Sequence, residues 1–326
     1  MLDKSNRQIN YLRLSITDNC NLRCQYCLPE NSNNFSKLSN LLSSDEIEKI
    51  VKAFSLIGIK KIRITGGEPL VRKDFPEILK KIDKIEGIEK IAITTNGFNL
   101  LENLEEFKKN GLDRINISLD SLNEKKYNEI TRGGNFNKIF ETIKKAVETN
   151  FDRVRLNVVI MKGVNDDEIL DFVNLTKNLN IGVRFIELMP IGEGKKFISM
   201  KNSEILSFIE SHYNLEKNCN EITDGPASYY KVSGFLGEIG FISPLSNGFC
   251  DKCNRIRVTS DGFLKLCLHY NEGIDLSAHL KHNISVEDLA KLIEEAIYNK
   301  KPKEHKMNST DIVENIETKG MNKIGG

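Results

Sequence analysis

Apolar and polar positions follow a repeating rhythm through roughly the first 190 residues of the chain. Short runs of β-forming residues are each followed by a stretch whose apolar residues recur every three or four positions. The first pattern predicts a strand, and the second predicts an amphipathic helix. Strands are predicted at 11–17, 61–65, 91–95, 114–119, 153–160 and 182–188. Strict alternation of strand and helix predicts a parallel sheet with right-handed crossovers.

Six strand–helix units are fewer than the eight of a closed (β/α)8 barrel. The count predicts an α/β fold built as an open, partial (β/α)6 TIM-like barrel, with a doubly wound sheet as the competing arrangement. After about residue 192 the alternation gives way to shorter β-like pieces and two helices. We therefore predict a partial barrel over 1–192 and a C-terminal α+β extension over 193–326.

Polar motifs follow several of the predicted strands directly. A cysteine-containing loop follows the first strand, Gly66-Gly67-Glu68-Pro69 follows the second, and Asn96-Gly97 follows the third. The carboxyl ends of parallel strands meet at one rim of such a fold, where ligands bind. We expect these motifs to converge there, although a plain structural turn remains the alternative for the Gly-Gly-Glu-Pro motif.

Composition and charge exclude several classes of protein. Of 326 residues, 47 are Lys or Arg and 46 are Asp or Glu, so the net charge of +1 argues against a general nucleic-acid binder. The longest apolar runs fall short of the roughly 18–20 residues that span a membrane. The N-terminal residues lack the apolar core of a secretory signal. These features predict a cytoplasmic chain without a membrane or nucleic-acid partner.

Seven cysteines are unexpected in a reducing compartment and indicate metal binding or catalysis. They form two sets of three and one single residue: Cys20, Cys24 and Cys27; Cys250, Cys253 and Cys267; and Cys219. Structural zinc takes four ligands, which His269 could complete beside Cys267. An iron–sulfur cubane held by three thiolates instead keeps one iron open for a ligand from outside the protein. Cys219 is interpreted as a thiol without function.

The first cysteine set and the Gly-Gly-Glu-Pro motif together resemble the radical S-adenosylmethionine (SAM) superfamily. The set has the spacing CxxxCxxC, an aromatic residue, Tyr26, precedes its last cysteine, and both motifs follow consecutive strands. The second set, the segment Asn254-Arg255-Ile256-Arg257 and the terminal Gly-Gly are similar to the GTP 3′,8-cyclases of molybdenum cofactor biosynthesis, the MoaA family. This resemblance extends from about residue 9 to the last residue.

The resemblance implies a radical SAM lyase that converts GTP to (8S)-3′,8-cyclo-7,8-dihydroguanosine 5′-triphosphate, the first step of molybdenum cofactor biosynthesis. It implies two [4Fe–4S] clusters, one held by Cys20, Cys24 and Cys27 and one by Cys250, Cys253 and Cys267. SAM contacts are implied for Tyr26, Gly67, Glu68, Ser118 and Met189. GTP contacts are implied for Arg13, Arg63, Thr94, Arg155, Arg255, Ile256 and Arg257, and further contacts for Arg184, Gly325 and Gly326.

Arginines within barrel strands are costly unless they face a polar cavity, where their guanidinium groups bind phosphate oxygens. A solvated sheet edge is the alternative for any one of them. Arg155 departs from the family pattern, which usually has Lys there, so the charge is kept while the contact geometry is in doubt. The Gly-Gly tail enters the active site in the family, whereas a disordered terminus is the usual fate of chain ends.

The family further implies a low-potential electron donor of the flavodoxin or ferredoxin type, and a homodimer. Two other functions compete with the cyclase. One is another radical SAM enzyme with an additional cluster, such as a peptide-modifying enzyme, although these usually carry more C-terminal cysteines. The other is a non-enzymatic iron–sulfur or zinc protein, which would need neither the Gly-Gly-Glu-Pro motif nor the arginines.

Overall fold

The computed structural model describes residues 1–33, 35–218, 225–246, 250–300, 317 and 319–325. Six parallel strands follow one another along the chain: β1 (Tyr11–Ser15), β2 (Lys61–Thr65), β3 (Lys90–Thr95), β4 (Arg114–Ser118), β5 (Arg153–Val159) and β6 (Gly182–Ile186). Each strand pairs with the next in chain order. In a doubly wound sheet, the strand order runs outward in both directions from the first strand, so that strands consecutive in the chain are not all neighbours. The observed order excludes that alternative and confirms the open, partial barrel.

Helices connect these strands, as the apolar spacing predicts. They are α1 (Ser44–Leu56), α2 (Phe75–Asp83), α3 (Leu104–Lys109), α4 (Glu124–Thr131), α5 (Phe136–Glu148) and α6 (Ile169–Asn178). The start of α1 follows from local sequence: the Ser43 side chain accepts a hydrogen bond from the Glu46 backbone, and the Glu46 side chain accepts one from the Ser43 backbone. Such a capping box satisfies two N–H groups that a helix start otherwise leaves without partners.

The C-terminal region extends both edges of the same sheet. Its elements are α7 (Asn202–Glu210), β7 (Leu215–Lys217), β8 (Ser228–Val232), β9 (Glu238–Ile242), β10 (Arg255–Val258), β11 (Phe263–Lys265), β12 (Gly273–Asp275), α8 (Leu276–Lys281), α9 (Val286–Tyr298) and α10 (Met321–Ile324). Strand β9 pairs in parallel with β6, and β10 pairs in parallel with β1. In the described part of the chain, the strands form one sheet in the order β12-β11-β10-β1-β2-β3-β4-β5-β6-β9-β8-β7. The division of the chain at residue 192 stays a prediction.

Alternation along β1 separates the core from the site. Leu12 and Leu14 are fully buried in the main hydrophobic cluster, while Tyr11, Arg13 and Ser15 point to the opposite face. The C-terminal strand β10 repeats the pattern. The helices therefore cover one face of the sheet, and the other face is free to carry polar chemistry.

A basic run such as the one that begins at Lys300 is typical of a solvated linker, but Lys300 is only 4% exposed, so that interpretation is wrong for this residue. Cys219 and Gly326 lie outside the described residues. Within the described ranges, no helix is long and apolar enough to cross a membrane.

Candidate functional site

A cavity of about 420 Å³ runs along the polar face of the sheet. It extends from residues that begin strands, such as Lys61 and Lys90, to residues that follow them, such as Gly67 and Asn96. Its volume lies in the range of small-molecule sites. Among the residues predicted to function, the following line it: Arg13, Cys20, Cys24, Tyr26, Cys27, Arg63, Gly67, Glu68, Thr94, Ser118, Arg155, Arg184, Met189, Cys250, Cys253, Arg255, Ile256, Arg257 and Cys267.

The loop that carries the first cysteine set is bound to the Gly-Gly-Glu-Pro motif through the backbone. The Gly67 N–H donates to the Thr17 carbonyl at 2.7 Å, and the Glu68 N–H donates to the Asn19 carbonyl at 2.7 Å. A Cβ atom on Gly67 would lie 2.3 Å from the Asn19 oxygen. Glycine is therefore required at position 67 by its contact with the cysteine loop, as well as by any ligand that approaches it.

Glu68 is buried, and its carboxylate accepts hydrogen bonds from the Thr95 hydroxyl at 2.6 Å and from the Asn96 N–H at 2.6 Å. Burial raises the pKa of Glu68 to about 7, although these hydrogen bonds oppose the shift. A cationic group arriving in the cavity would favour the charged carboxylate. Glu68 is thus suited to receive an ammonium group.

Tyr26, between the second and third cysteines, is fixed by Asp120, which follows β4. The Tyr26 hydroxyl donates to the Asp120 carboxylate at 2.7 Å, and the Val159 N–H donates to the same carboxyl group at 2.8 Å. Burial raises the pKa of Asp120 to about 6. This link ties the cysteine loop to the ends of β4 and β5.

The two cysteine sets have different electrostatic surroundings. Burial raises the pKa of all three thiols of the first set, that of Cys20 to about 11 and that of Cys27 to about 12. Burial would also raise the pKa of Cys253, but the positive charges of Lys300 and Arg255 lower it to about 7. The first set therefore lies in an apolar and acidic environment. In the second set burial also raises the pKa of Cys250, and Cys253 is the thiol that lies beside positive charges.

Three arginines form a row across neighbouring strands. Arg257 on β10, Arg13 on β1 and Arg63 on β2 are aligned residue by residue, so their side chains leave the sheet on one face. Arg63 also donates to the Thr94 hydroxyl at 3.4 Å. Burial and the neighbouring charges of Arg257 and Arg63 hold the pKa of Arg13 well below its usual range. A concentration of guanidinium groups of this kind fits a polyanionic ligand.

Two further arginines lie beside glycines on neighbouring strands. Arg155 on β5 is aligned with Gly182 on β6, and Arg184 on β6 is aligned with Gly240 on β9. A Cβ on Gly182 would lie 3.0 Å from Arg155 Cγ, and a Cβ on Gly240 would lie 3.0 Å from Arg184 Cγ. Arg155, where the family usually has Lys, lies 3.5 Å from the Glu238 carboxylate and 5.0 Å from the Tyr229 ring centroid. The planar guanidinium group exploits that ring contact in a way that an ammonium group matches poorly.

The C-terminal residues of the described chain reach the same region. The Arg257 guanidinium donates to the Gly325 carbonyl, and a Cβ on Gly325 would lie 3.2 Å from Ser15 Cβ. The Asn322 side chain donates to the Asp18 carbonyl at 3.0 Å. The tail thus contacts both β1 and the loop of the first cysteine set. Its direct part in binding stays a prediction.

The donor chemistry fits iron–sulfur clusters better than single metal ions. Within the described ranges, no three His, Cys, Asp or Glu side chains converge closely enough to hold one ion. The zinc alternative with His269 therefore has no support there. A four-iron cubane is larger and separates its thiolate ligands more widely, and the three thiols of each set line one cavity.

Sequence reasoning missed several residues of this site. Tyr11 lines the cavity, and its hydroxyl accepts a hydrogen bond from Arg63. Burial would raise the pKa of Tyr11, but the charges of Arg63 and Arg13 lower it. The period of two along β1 places Tyr11 on the same face as Arg13 and could have found it. Arg7 and Lys300 had no such signal, because they come from segments without periodicity.

Comparison with known proteins agrees with this geometry. Residues 14–176 match the family model of the radical SAM superfamily, and residues 181–307 match that of molybdenum cofactor synthesis C. The crystal structure of Streptococcus suis SuiB bound to S-adenosylmethionine has a TM-score of 0.62 at 16% identity, covering 83% of this chain and 64% of that one. This last likeness concerns the fold alone. The chain belongs to the radical SAM superfamily, and it is an enzyme of that class.

Closer relatives narrow the assignment. A GTP 3′,8-cyclase of Clostridium perfringens (strain SM101 / Type A) is 47% identical over 327 residues, with 100% of both chains covered. A GTP 3′,8-cyclase of Syntrophomonas wolfei subsp. wolfei (strain DSM 2245B / Goettingen) is 45% identical over 329 residues, again with full coverage. Within the superfamily, the chain belongs to the family of the GTP 3′,8-cyclases, whose cofactors are SAM and two [4Fe–4S] clusters.

Proposed function

We propose that this protein converts GTP to (8S)-3′,8-cyclo-7,8-dihydroguanosine 5′-triphosphate, the first step of molybdenum cofactor biosynthesis. One observation carries the proposal: two sets of three cysteines and five aligned or neighbouring arginines line a single cavity. Relatives that match the whole chain at 45–47% identity are GTP 3′,8-cyclases.

The first cysteine set would hold the cluster that binds SAM, with one iron left for a ligand outside the protein. We assign the SAM contacts to Tyr26, Gly67, Glu68, Ser118 and Met189. Glu68 would receive the ammonium group of SAM. Its buried carboxyl group lies in the turn that follows β2 and lines the cavity beside the first cysteine set. When bound, the cluster and SAM supply a carbon radical that can remove a hydrogen atom from the substrate.

The second set, Cys250, Cys253 and Cys267, would hold the cluster that faces the purine. We assign the contacts to GTP to Arg13, Arg63, Thr94, Arg155, Arg255, Ile256 and Arg257, with Arg184, Gly325 and Gly326 as further candidates. The row from Arg257 through Arg13 to Arg63 would bind the triphosphate. Arginines already placed on strands keep their geometry without the substrate, which lowers the entropic cost of binding.

The chain itself contributes the placement of the substrate and the exclusion of groups that would compete for the radical. Buried arginines fix the triphosphate, so the ribose and the base are held between the two cysteine sets. By holding one C–H bond of the substrate next to the radical, the cavity would favour abstraction of that hydrogen atom over reaction with other groups. Three further assignments belong to the proposal: a low-potential electron donor of the flavodoxin or ferredoxin type, a homodimer, and a cytoplasmic location.

The test uses anaerobically reconstituted protein reduced with dithionite in the presence of SAM and GTP. We expect 5′-deoxyadenosine to form only when GTP is present, together with the cyclised nucleotide. About eight irons per chain are expected for two cubanes. Formation of 5′-deoxyadenosine without GTP, and no cyclised product, would refute the substrate assignment.

Arg257→Ala separates the binding of GTP from the binding of SAM. Loss of a charge-assisted contact to phosphate lowers affinity for GTP by roughly tenfold or more. The iron content and the ability to bind SAM should persist, because Arg257 is neither a cysteine ligand nor part of the Gly-Gly-Glu-Pro motif, and its guanidinium donates to the Gly325 carbonyl. Lys291→Ala, at an exposed position on α9, is the matched control. Equal loss of both abilities would contradict the role assigned to Arg257.

A further inference from the structure

Lys300 is a buried cation that the proposed chemistry does not yet use. It directly follows the last turn of α9, and its Nζ lies 3.8 Å from Cys253 Sγ. The same Nζ donates to the Arg255 carbonyl. At 4% exposure, the ammonium group is removed from bulk water and directed at the second cysteine set.

The N-terminal segment fixes Lys300 in this position. The Arg7 guanidinium donates to the Lys300 carbonyl at 3.0 Å and to the Cys250 carbonyl at 3.0 Å. A buried ion pair with Asp3 at 2.7 Å orients Arg7 itself. One guanidinium group therefore joins the backbone that carries Lys300 to the turn that carries Cys250. Such a shared anchor is expected where the relative position of two groups matters.

At the first cysteine set, the Arg23 guanidinium donates to the Cys20 carbonyl at 2.7 Å and not to a thiol. The Leu22 N–H lies 3.4 Å from Cys20 Sγ, and the Asn96 side-chain amide lies 4.0 Å from the same sulfur. The acidic side chain of Asp120 lies near the same loop through its bond with Tyr26. A buried cation at the thiol is thus a feature of the second set, and general packing of cysteines does not explain it.

We propose that Lys300 is a positioning residue for the second cluster, where its ammonium group orients the Cys253 thiolate and raises the reduction potential of the cluster. The inference rests on the function proposed above. A reduced cluster carries one more negative charge than an oxidised one, so a fixed positive charge beside its sulfur favours reduction. Hydrogen bonds to the sulfurs and local net charge are known determinants of cluster potential.

The experiment uses the full chain with Cys20, Cys24 and Cys27 all changed to Ala, so that only the second cluster gives an EPR signal. Lys300→Met removes the charge and keeps the length of the side chain, and Lys300→Arg restores the charge. Lys291→Met, at a position on α9 where the side chain is 77% exposed, is the control. The measured quantities are iron per chain and the midpoint potential from an EPR-monitored titration.

We expect Lys300→Met to lower the ratio of reduced to oxidised cluster at a given potential by roughly tenfold, about 59 mV for one electron. Lys300→Arg and Lys291→Met should keep the midpoint potential and the iron content near those of the parent. Loss of iron in Lys300→Met that Lys300→Arg restores would also support the proposal, because it shows that the cation holds the thiolate. An unchanged potential at unchanged iron content would overturn it, as would equal loss in Lys300→Met and Lys300→Arg. If the parent itself binds no cluster, the proposed metal site fails instead.

Discussion

The buried pair of Lys265 and Glu317 offers a sharp test of how the C-terminal segment is held. The Lys265 ammonium donates to the Glu317 carboxylate and, at 2.7 Å, to the Tyr270 carbonyl. Both side chains are only 1% exposed. Glu317 in turn donates its N–H to the His269 carbonyl at 2.8 Å. Since Cys267 lies between β11 and His269, one ion pair joins the C-terminal segment to the loop of the second cysteine set.

Glu317→Ala leaves the Lys265 ammonium buried with the carbonyl of Tyr270 but without its counter-charge. Removing one partner of a buried ion pair typically costs about 3–5 kcal/mol, because the remaining charge stays desolvated. That is a large part of the roughly 5–15 kcal/mol that stabilises most folded domains. We therefore expect the free energy of unfolding of the metal-free protein to fall by about this amount in anaerobic denaturant titrations.

Two further variants test whether the uncompensated charge of Lys265 causes the loss of stability in Glu317→Ala. Combining Lys265→Met with Glu317→Leu replaces the pair by apolar side chains of similar size, and should restore most of the stability. Glu89→Ala breaks an ion pair with Lys60 whose side chains are about half exposed, and should cost at most about 1 kcal/mol. If Glu317→Ala costs no more than Glu89→Ala, or if the double variant is less stable than either single one, the reasoning is refuted.

Three other substitutions test the first cysteine loop. Gly67→Ala should lower the free energy of unfolding by about 1–3 kcal/mol, since its Cβ would lie 2.3 Å from the Asn19 oxygen. Gly225→Ala, whose Cβ would have no atom of the described residues within 4 Å, should be near neutral in the same titration. Between pH 4.5 and about 7 the folded parent retains a proton on Glu68 that its unfolded state releases, so the parent loses stability as pH rises. Glu68→Gln has no such proton and should therefore gain stability relative to the parent over this range. Unfolding curves at several pH values check this, and a gain that shrinks as pH rises would contradict it. Tyr26→Phe should cost about 1.5–3 kcal/mol through its lost bond to a carboxylate, and a cost within error of zero would show that this bond does not hold the loop.

Periodicity predicted much of the fold and of the site. The apolar residues of β1 and β2 fix which face enters the core, so the arginines between them had to face the other way. The partial barrel and the convergence of its strand ends then follow from the order of elements. The cysteine sets were also visible, because metal ligands recur at short and regular spacing.

Residues whose role depends on contacts between distant segments could not be predicted in this way. Lys300 belongs to a basic run that would ordinarily be solvated, and its burial depends on contacts with Arg7 and Arg255, which are distant from it in sequence. The resemblance implies a SAM contact for Gly67, yet a Cβ at this position would first meet the Asn19 carbonyl of the cysteine loop. Both facts depend on how two segments pack, and neither segment alone carries that information.

The near-neutral net charge of the chain hides a strong local field. Burial and the mutual repulsion of the guanidinium groups hold the pKa of Arg13 well below its usual range, and they lower that of Arg257 to about 10. The folded protein thus keeps together charges that repel one another, and its strands prevent them from moving apart. A polyanion placed among them replaces repulsion by attraction without further movement of the chain, which is how a preorganised site derives affinity. Total charge is therefore a poor guide to ligand class, because exposed carboxylates elsewhere cancel the sum and leave the field inside the cavity unchanged.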